Sequence, residues 1–212
     1  KEFDILISLQ HPNIVSAYSM EEIPEMGTCI VMEWIDGITL EHWIGSKTEG
    51  EAIFLQLLDA VHYIHAKQIV HRDLKPSNIM ITHNGSHVKL IDFGLSDTDD
   101  FSILKQPAGT SGYISPEQSI SRKADIRNDI FSIGCILEKI LPGKAYTAII
   151  NRCKAPIAQR YANVDELKAD FMVHRNSHPS GIKRIAIAAL ACISPLVVIS
   201  YPLQQQQEKS IS

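Results

Sequence analysis

The sequence predicts an α+β fold, mostly helical after a small β-rich beginning and closed by a hydrophobic helix long enough to enter a membrane. Three observations carry this prediction. Short apolar runs at residues 14–20 and 29–35 lie near the start, helical apolar periods at 51–67 and 126–141 fill the middle, and residues 185–203 contain no charged side chain. At 212 residues and 45% hydrophobic content, the chain has material for one sizeable buried core or two small ones.

The elements follow in order. Phe3, Leu6 and Ile7, widened by Ile5 and Leu9, give residues 1–10 the stripe of a half-buried helix, which His11-Pro12-Asn13 stops. Residues 14–20 and 29–35 read as strands joined by a turn over 21–27, where Pro24 and Gly27 punctuate the pattern. Asp36-Gly37 ends the second strand, and 40–44 reads as a short helix. Ile53, Phe54, Leu57, Leu58, Val61 and Ile64 make 51–67 the clearest helix, with a face broad enough to require burial. Strands at 79–81 and 88–91 flank Asn84-Gly85, a strong hairpin signal. From 95 to 115 the chain is rich in Ser, Thr, Asp and Gly and reads as a surface loop. A helix at 126–141, closed by Pro142-Gly143, and two shorter ones near 146–153 and 164–171 complete the globular part.

Composition excludes several functions. Twenty basic residues against twenty-four acidic ones leave a net charge of −4, and no basic stripe is interleaved with aromatics, so no nucleic-acid partner is expected. The four cysteines lack metal-type spacing and read as reduced, packed thiols of a cytosolic domain. His62 and His65 share a helical pattern without complementary ligands, so no zinc site is expected. No internal repeat is present. Lys1 already stands inside a helical pattern with no secretory signal before it, so the sequence is treated as a candidate fragment.

Two motifs carry chemistry. His71-Arg72-Asp73-Leu74-Lys75-Pro76-Ser77-Asn78 is followed, thirteen residues after its end, by Ile91-Asp92-Phe93-Gly94. Together they supply a carboxylate to face an acceptor hydroxyl, an amide oxygen for a metal ion and a second carboxylate to bridge metal and phosphates, the three groups phosphoryl transfer requires. An isolated Asp-x-x-x-x-Asn would be read as turn capping; the second motif, in order and at this separation, argues against that.

In these motifs the chain resembles the eukaryotic-type protein kinases, in particular the membrane-anchored Ser/Thr kinases of bacteria, over about residues 1–171. The resemblance implies a protein-kinase-like fold with a mostly helical C-lobe and a partial N-lobe. It implies ATP and Mg2+ as cofactors and a protein bearing a Ser or Thr hydroxyl as substrate. Asp73 would be the catalytic base and Lys75 would neutralise charge on the transferred group, its position matching the serine/threonine branch. Asn78 and Asp92 would hold magnesium. Met32-Glu33-Trp34-Ile35-Asp36-Gly37 resembles the hinge between lobes, where the backbone of Glu33 and Ile35 would meet the adenine edge, with Met32 as gatekeeper and Met80 beneath the ring. Glu2 would pair with an ATP-binding lysine that this sequence does not contain.

Gly109-Thr110-Ser111-Gly112-Tyr113-Ile114-Ser115-Pro116-Glu117 resembles the end of an activation segment, with Ser115 in place of the usual alanine. Thr110 would touch Asp73 and Lys75, Glu117 would pair with Arg160, and Asp129 would brace the catalytic loop. Arg72 beside Asp73 implies a partner anion, supplied by phosphorylation at Thr98 or Ser102, with Ser96 a weaker candidate, or by Asp97, Asp99 and Asp100. Two departures matter. The Gly-rich loop and strand lysine of the family are absent from this sequence, and the interval from Asp129 to Arg160 is short for the family, which implies that a helix binding substrates there is shortened or absent.

The domain reading is then 1–35 as partial N-lobe, 36–171 as C-lobe, 172–184 as juxtamembrane linker, 185–203 as a transmembrane helix and 204–212 as a short tail. A span is preferred to a buried helix at 185–203, and His174, Arg175, Lys183 and Arg184 on the near side predict a single-pass membrane protein with its kinase region cytoplasmic. Pro195 within it is tolerable where neighbours satisfy the freed carbonyl. A truncated pseudokinase acting as a signalling scaffold is the alternative, separated by whether a Gly-rich loop and lysine precede in frame. A small-molecule phosphotransferase is disfavoured by Lys75 and the Ser-Pro-Glu ending.

Overall fold

Helix α1 (Glu2–Ile7) buries Ile5 and Leu6 and places Glu2 and Asp4 in its first turn, where carboxylates meet the positive helix end. These coordinates are a computed structural model that describes residues 2–94, 112–118 and 124–177. After α1, Asn13 fastens the chain: its side-chain amide donates to Gln56 Oε1 and to the Val88 carbonyl.

Strands β1 (Ala17–Ile23) and β2 (Gly27–Met32) form an antiparallel hairpin around Pro24-Glu25-Met26, with Glu25 and Gly27 at positive φ. Both strands sit differently from the expected 14–20 and 29–35. Ile14 and Val15 are buried and pair with Leu90 instead, Val15 N–H donating to its carbonyl at 3.0 Å, so their apolar character serves another partner. Glu33 to Ile35 lie beyond β2 as non-strand backbone.

The short helix expected at 40–44 is not formed. Gly37–Thr39 is a strand, β3, and a turn follows in which His42 N–H donates to the Thr39 carbonyl. The Leu40 amide donates to the Ile79 carbonyl at 2.7 Å, a bond that a few residues of isolated helix cannot outbid given the cost of nucleation. Gly37 permits this pairing, since a Cβ there would lie 2.3 Å from the Ile81 carbonyl oxygen.

Helix α2 (Lys47–Ala66) begins four residues before the apolar period suggested. Ser46 and Glu49 form a capping box: the Ser46 hydroxyl accepts the Glu49 N–H while the Glu49 carboxylate accepts the Ser46 N–H. Strands β4 (Ile79–Thr82) and β5 (Val88–Leu90) form the expected hairpin, with Gly85 at φ 84°, and β3 adds to it in the order β3-β4-β5. Ile79, Ile81, Val88 and Leu90 face the core, while Met80 and Lys89, directly opposite each other in register, face the half-exposed side.

Helix α3 (Ile126–Ile140), capped by Asp125, and α4 (Thr147–Lys154) pack closely: a Cβ on Gly134 would stand 2.4 Å from Cys153 Cβ. Burial raises the Cys153 thiol to about 12, consistent with a packed, unreactive side chain. Helix α5 (Val164–Ser177) runs past residue 171, where the apolar signal ends. Its Phe171 packs on Phe54 and Tyr146, and the Tyr146 hydroxyl donates to Glu51 Oε1 at 2.6 Å. One apolar cluster includes residues from α1 through α5.

The chain divides into two units, Lys1–His174 and Arg175–Ser212; of the second, only residues 175–177 are described. The expected transmembrane helix at 185–203 lies outside the described residues. Among those described, no helix is long and apolar enough to cross a membrane.

Candidate active site

The loop from His71 to Asn78 is held from below by one carboxylate. Asp129 in α3 is fully buried and accepts three hydrogen bonds: from His71 N–H at 2.9 Å, from Arg72 N–H at 2.9 Å, and across to His65 Nε2 at 2.8 Å. Burial alone would raise this carboxyl. The hydrogen bond from His65, the fields of the neighbouring imidazoles and the Arg72 amide overcome that and hold it below the usual carboxylate range. The expected brace is therefore present. With both its amides tied to α3, the loop turns sharply, Arg72 adopting φ 69°.

That turn aims Asp73 at its neighbours. Lys75 Nζ lies 2.8 Å from Asp73 Oδ2, and the Asn78 amide donates to both the Asp73 carbonyl, at 3.0 Å, and Asp73 Oδ2, at 3.1 Å. Pro76–Asn78 form a single 3-10 turn, which gives the five-residue step its span. Asp92 reaches the same place by backbone pairing: Ile91 N–H donates to the Asn78 carbonyl at 2.9 Å, directly before Asp92. Asp92 itself adopts φ 63°, and its Oδ1 accepts the Gly94 N–H at 3.1 Å. Glu2 also arrives here: a Cβ on Gly94 would lie 3.2 Å from Asp92 Oδ1 and 3.6 Å from Glu2 Oε2.

Buried His71 joins the two motifs, its ring 4.8 Å from that of Phe93. Burial pushes its imidazole below the ordinary value, against the pull of Asp129, Asp73 and Asp92.

The donor set suits magnesium. Because the Asn78 NH2 group is engaged by Asp73, the amide is oriented and its oxygen is the atom left for a cation; Asp92 contributes carboxylate oxygen. No group of three or more His, Cys, Asp or Glu that could hold a metal exists among the described residues.

The hinge residues are placed as follows. The Glu33 amide donates to the Ser16 carbonyl at 2.8 Å. Among the described residues, no hydrogen bond occupies the Glu33 carbonyl or either backbone polar group of Ile35. Met80 lies on the half-exposed face of β4, and Met32 is 39% exposed.

Glu117 and Arg160 form the expected ion pair, with Arg160 also donating to the carbonyls of Ala155 and Arg127. Burial alone would raise the Glu117 carboxyl; Arg160 more than offsets it. Ser115, in place of the usual alanine, donates to Asn128 Oδ1 at 2.9 Å. Thr110 and the phosphorylation candidates Ser96, Thr98 and Ser102, with Asp97, Asp99 and Asp100, lie outside the described residues.

Two contributors escaped the sequence reading. Gln118 is buried and donates to the Arg72 carbonyl at 2.7 Å, clamping the catalytic loop from the activation-segment side. His65, which shows no metal-type partners in the sequence, pairs instead with Asp129, sixty-four residues away. No spacing could have announced either contact.

The family profile described as "Protein kinase domain" matches residues 1–193. The chain is 37% identical to the serine/threonine-protein kinase Pkn1 of Myxococcus xanthus, covering 63% of this chain and 21% of the relative. It is 37% identical to the serine/threonine-protein kinase PrkC of Bacillus subtilis, over 65% of this chain and 22% of the relative. It is also 37% identical to a probable serine/threonine-protein kinase PknB of Bifidobacterium longum, over 94% of this chain and 35% of the relative. The chain thus spans between about a fifth and a third of the length of these relatives.

Proposed function

The chain belongs to the protein kinase domain family, and from that premise we propose that it acts as an ATP-dependent protein serine/threonine kinase. The observation that carries the reading is the cluster Lys75–Asp73–Asn78, with Asp92 delivered beside it by the Ile91 to Asn78 hydrogen bond. Magnesium ATP, when bound, supplies the phosphoryl group and the charge that offsets its oxygens.

The chain's own residues do the rest. Asp73 accepts the proton of the acceptor hydroxyl, and Lys75, already in contact with it, neutralises charge growing next to that carboxylate. Asn78 and Asp92 offer oxygen to the metal, the former fixed by Asp73 itself. The Glu33 carbonyl and the Ile35 backbone present acceptor and donor groups to the adenine edge, and Met80 offers an apolar surface to the ring. The acceptor is a protein Ser or Thr hydroxyl, and the hydrophobic run at 185–203 anchors the protein in a membrane with its kinase region cytoplasmic.

The test is a phosphorylation assay with ATP and magnesium on the protein expressed from its whole reading frame, beside its Asp73→Asn version. Incorporation is expected to fall at least about a hundredfold in the variant, the scale of a lost general base. Equal incorporation in both would remove Asp73 from the mechanism and leave a scaffold. Carbonate-resistant sedimentation with membranes, lost when 185–203 is deleted, tests the anchor.

A further inference from the structure

The Glu33 side chain does something the hinge reading did not assign to it. Its carboxylate grips Lys89 of β5, with Oε1 at 2.7 Å and Oε2 at 2.8 Å from Nζ. Oε2 also accepts the Ser16 N–H at 3.2 Å, while the Glu33 N–H donates to the Ser16 carbonyl at 2.8 Å. Residue 33 is therefore held at three points, two on Ser16 in the segment before β1 and one on Lys89 of β5. Lys89 stands directly opposite Met80 in the β4–β5 register, on the same face. One lysine flanks the ring-supporting residue with its stem and fixes the hinge with its ammonium.

We infer that Lys89 is a positioning residue for adenine recognition: through Glu33 it sets the height of the hinge backbone above Met80. The inference deepens the kinase reading and rests on it. An adenine ring slots between a backbone edge and an apolar floor, and a shift of a few tenths of an ångström in either loses hydrogen-bond alignment. No residue of the β1–β2 hairpin is fully buried, although Ala17 and the hinge residue Ile35 pack, partly buried, against the core. The ion pair, only 16% and 26% exposed at its two ends, adds a polar tether from the segment after β2 to β5. Its contribution falls on the base and not on the phosphates, which would meet Asn78 and Asp92 through the metal.

The experiment uses the full-length protein and a fluorescent ADP probe with magnesium, displaced in turn by adenosine and by inorganic tripolyphosphate. In Lys89→Ala, adenosine is expected to weaken roughly tenfold while tripolyphosphate is unchanged, and Lys89→Arg is expected to restore adenosine to within about twofold. Glu33→Gln, which keeps the shape and removes the charge, is expected to reproduce the alanine result. Unchanged adenosine displacement in Lys89→Ala overturns the inference, as does an equal loss of both competitors, which marks general destabilisation. A wild-type protein that binds no probe overturns the kinase reading itself, and this inference with it.

Discussion

The catalytic loop and the β1–β2 hairpin are both short stretches without an α-helix, yet they are held in opposite ways. From His71 to Asp73 every residue is buried, and the loop's backbone is bound by Asp129 and Gln118 from two distant segments. Along Ala17–Ile23 and Gly27–Met32 no residue is buried, and the strands bond chiefly to each other. Chemistry that requires fixed polar groups is placed where the polar groups of the backbone are themselves taken up, because an unfilled partner there is costly. The hairpin leans on its ladder, the Glu33 anchor and partial packing of Ala17, and two strands alone are marginal in water.

The difference can be broken at its strongest point first. Replacing Asp129 with alanine leaves two amides and a histidine buried without their acceptor, and is expected to cost about 3–5 kcal/mol in urea unfolding. Phosphoryl transfer should fall with it even where the fold survives. Gly37→Ala comes next: the Cβ collides with the Ile81 carbonyl, and a loss of about 1–3 kcal/mol is expected, with β3 amides exchanging hydrogen faster while α3 amides do not.

Acid offers a graded version of the same attack. His71 is held neutral below its ordinary value of 6.5, so the unfolded chain takes up a proton that the folded one refuses as pH falls through that value. Stability present above about pH 6.5 is lost going downward, by at most about 1.4 kcal/mol per pH unit for one such group. Asp129 and Glu117, both held below the ordinary carboxylate range, act with the same sign under more acidic conditions. Thermal melts from pH 7.5 to 5.5 should show the slope, and His71→Phe, which keeps a ring against Phe93, should flatten it. A variant with an unchanged slope would exonerate His71.

Smaller effects sharpen the contrast. Ser46→Ala removes one arm of the capping box and is expected to cost about 1 kcal/mol. Met20→Ser, on the hairpin face at 54% exposure, should change stability by less than about 0.5 kcal/mol. A larger loss there would mean that the hairpin is covered in solution.

Much of this was legible in the sequence. The helices at 51–67 and 126–141 and the Asn84-Gly85 hairpin follow from local period and turn chemistry, and the three site residues follow from motif spacing. What stayed hidden has one physical character. The Gly37–Thr39 strand is too short for any period and exists because β4 lies beside it. The Ser46–Glu49 box spells Ser-x-x-Glu, but it lies ahead of the apolar run and outside its helical period. His65–Asp129, Gln118–Arg72 and Lys89–Glu33 join residues far apart in sequence, and a polar side chain carries no mark of its distant partner.

The buried carboxylate of α3 also sets a schedule. The amides of His71 and Arg72 wait for an acceptor fifty-eight and fifty-seven positions downstream, so a chain emerging from the ribosome has its reactive loop long before it has the means to shape it. Competence arrives only with the translation and docking of residue 129. On the proposed kinase reading, a nascent chain would transfer no phosphate before that point.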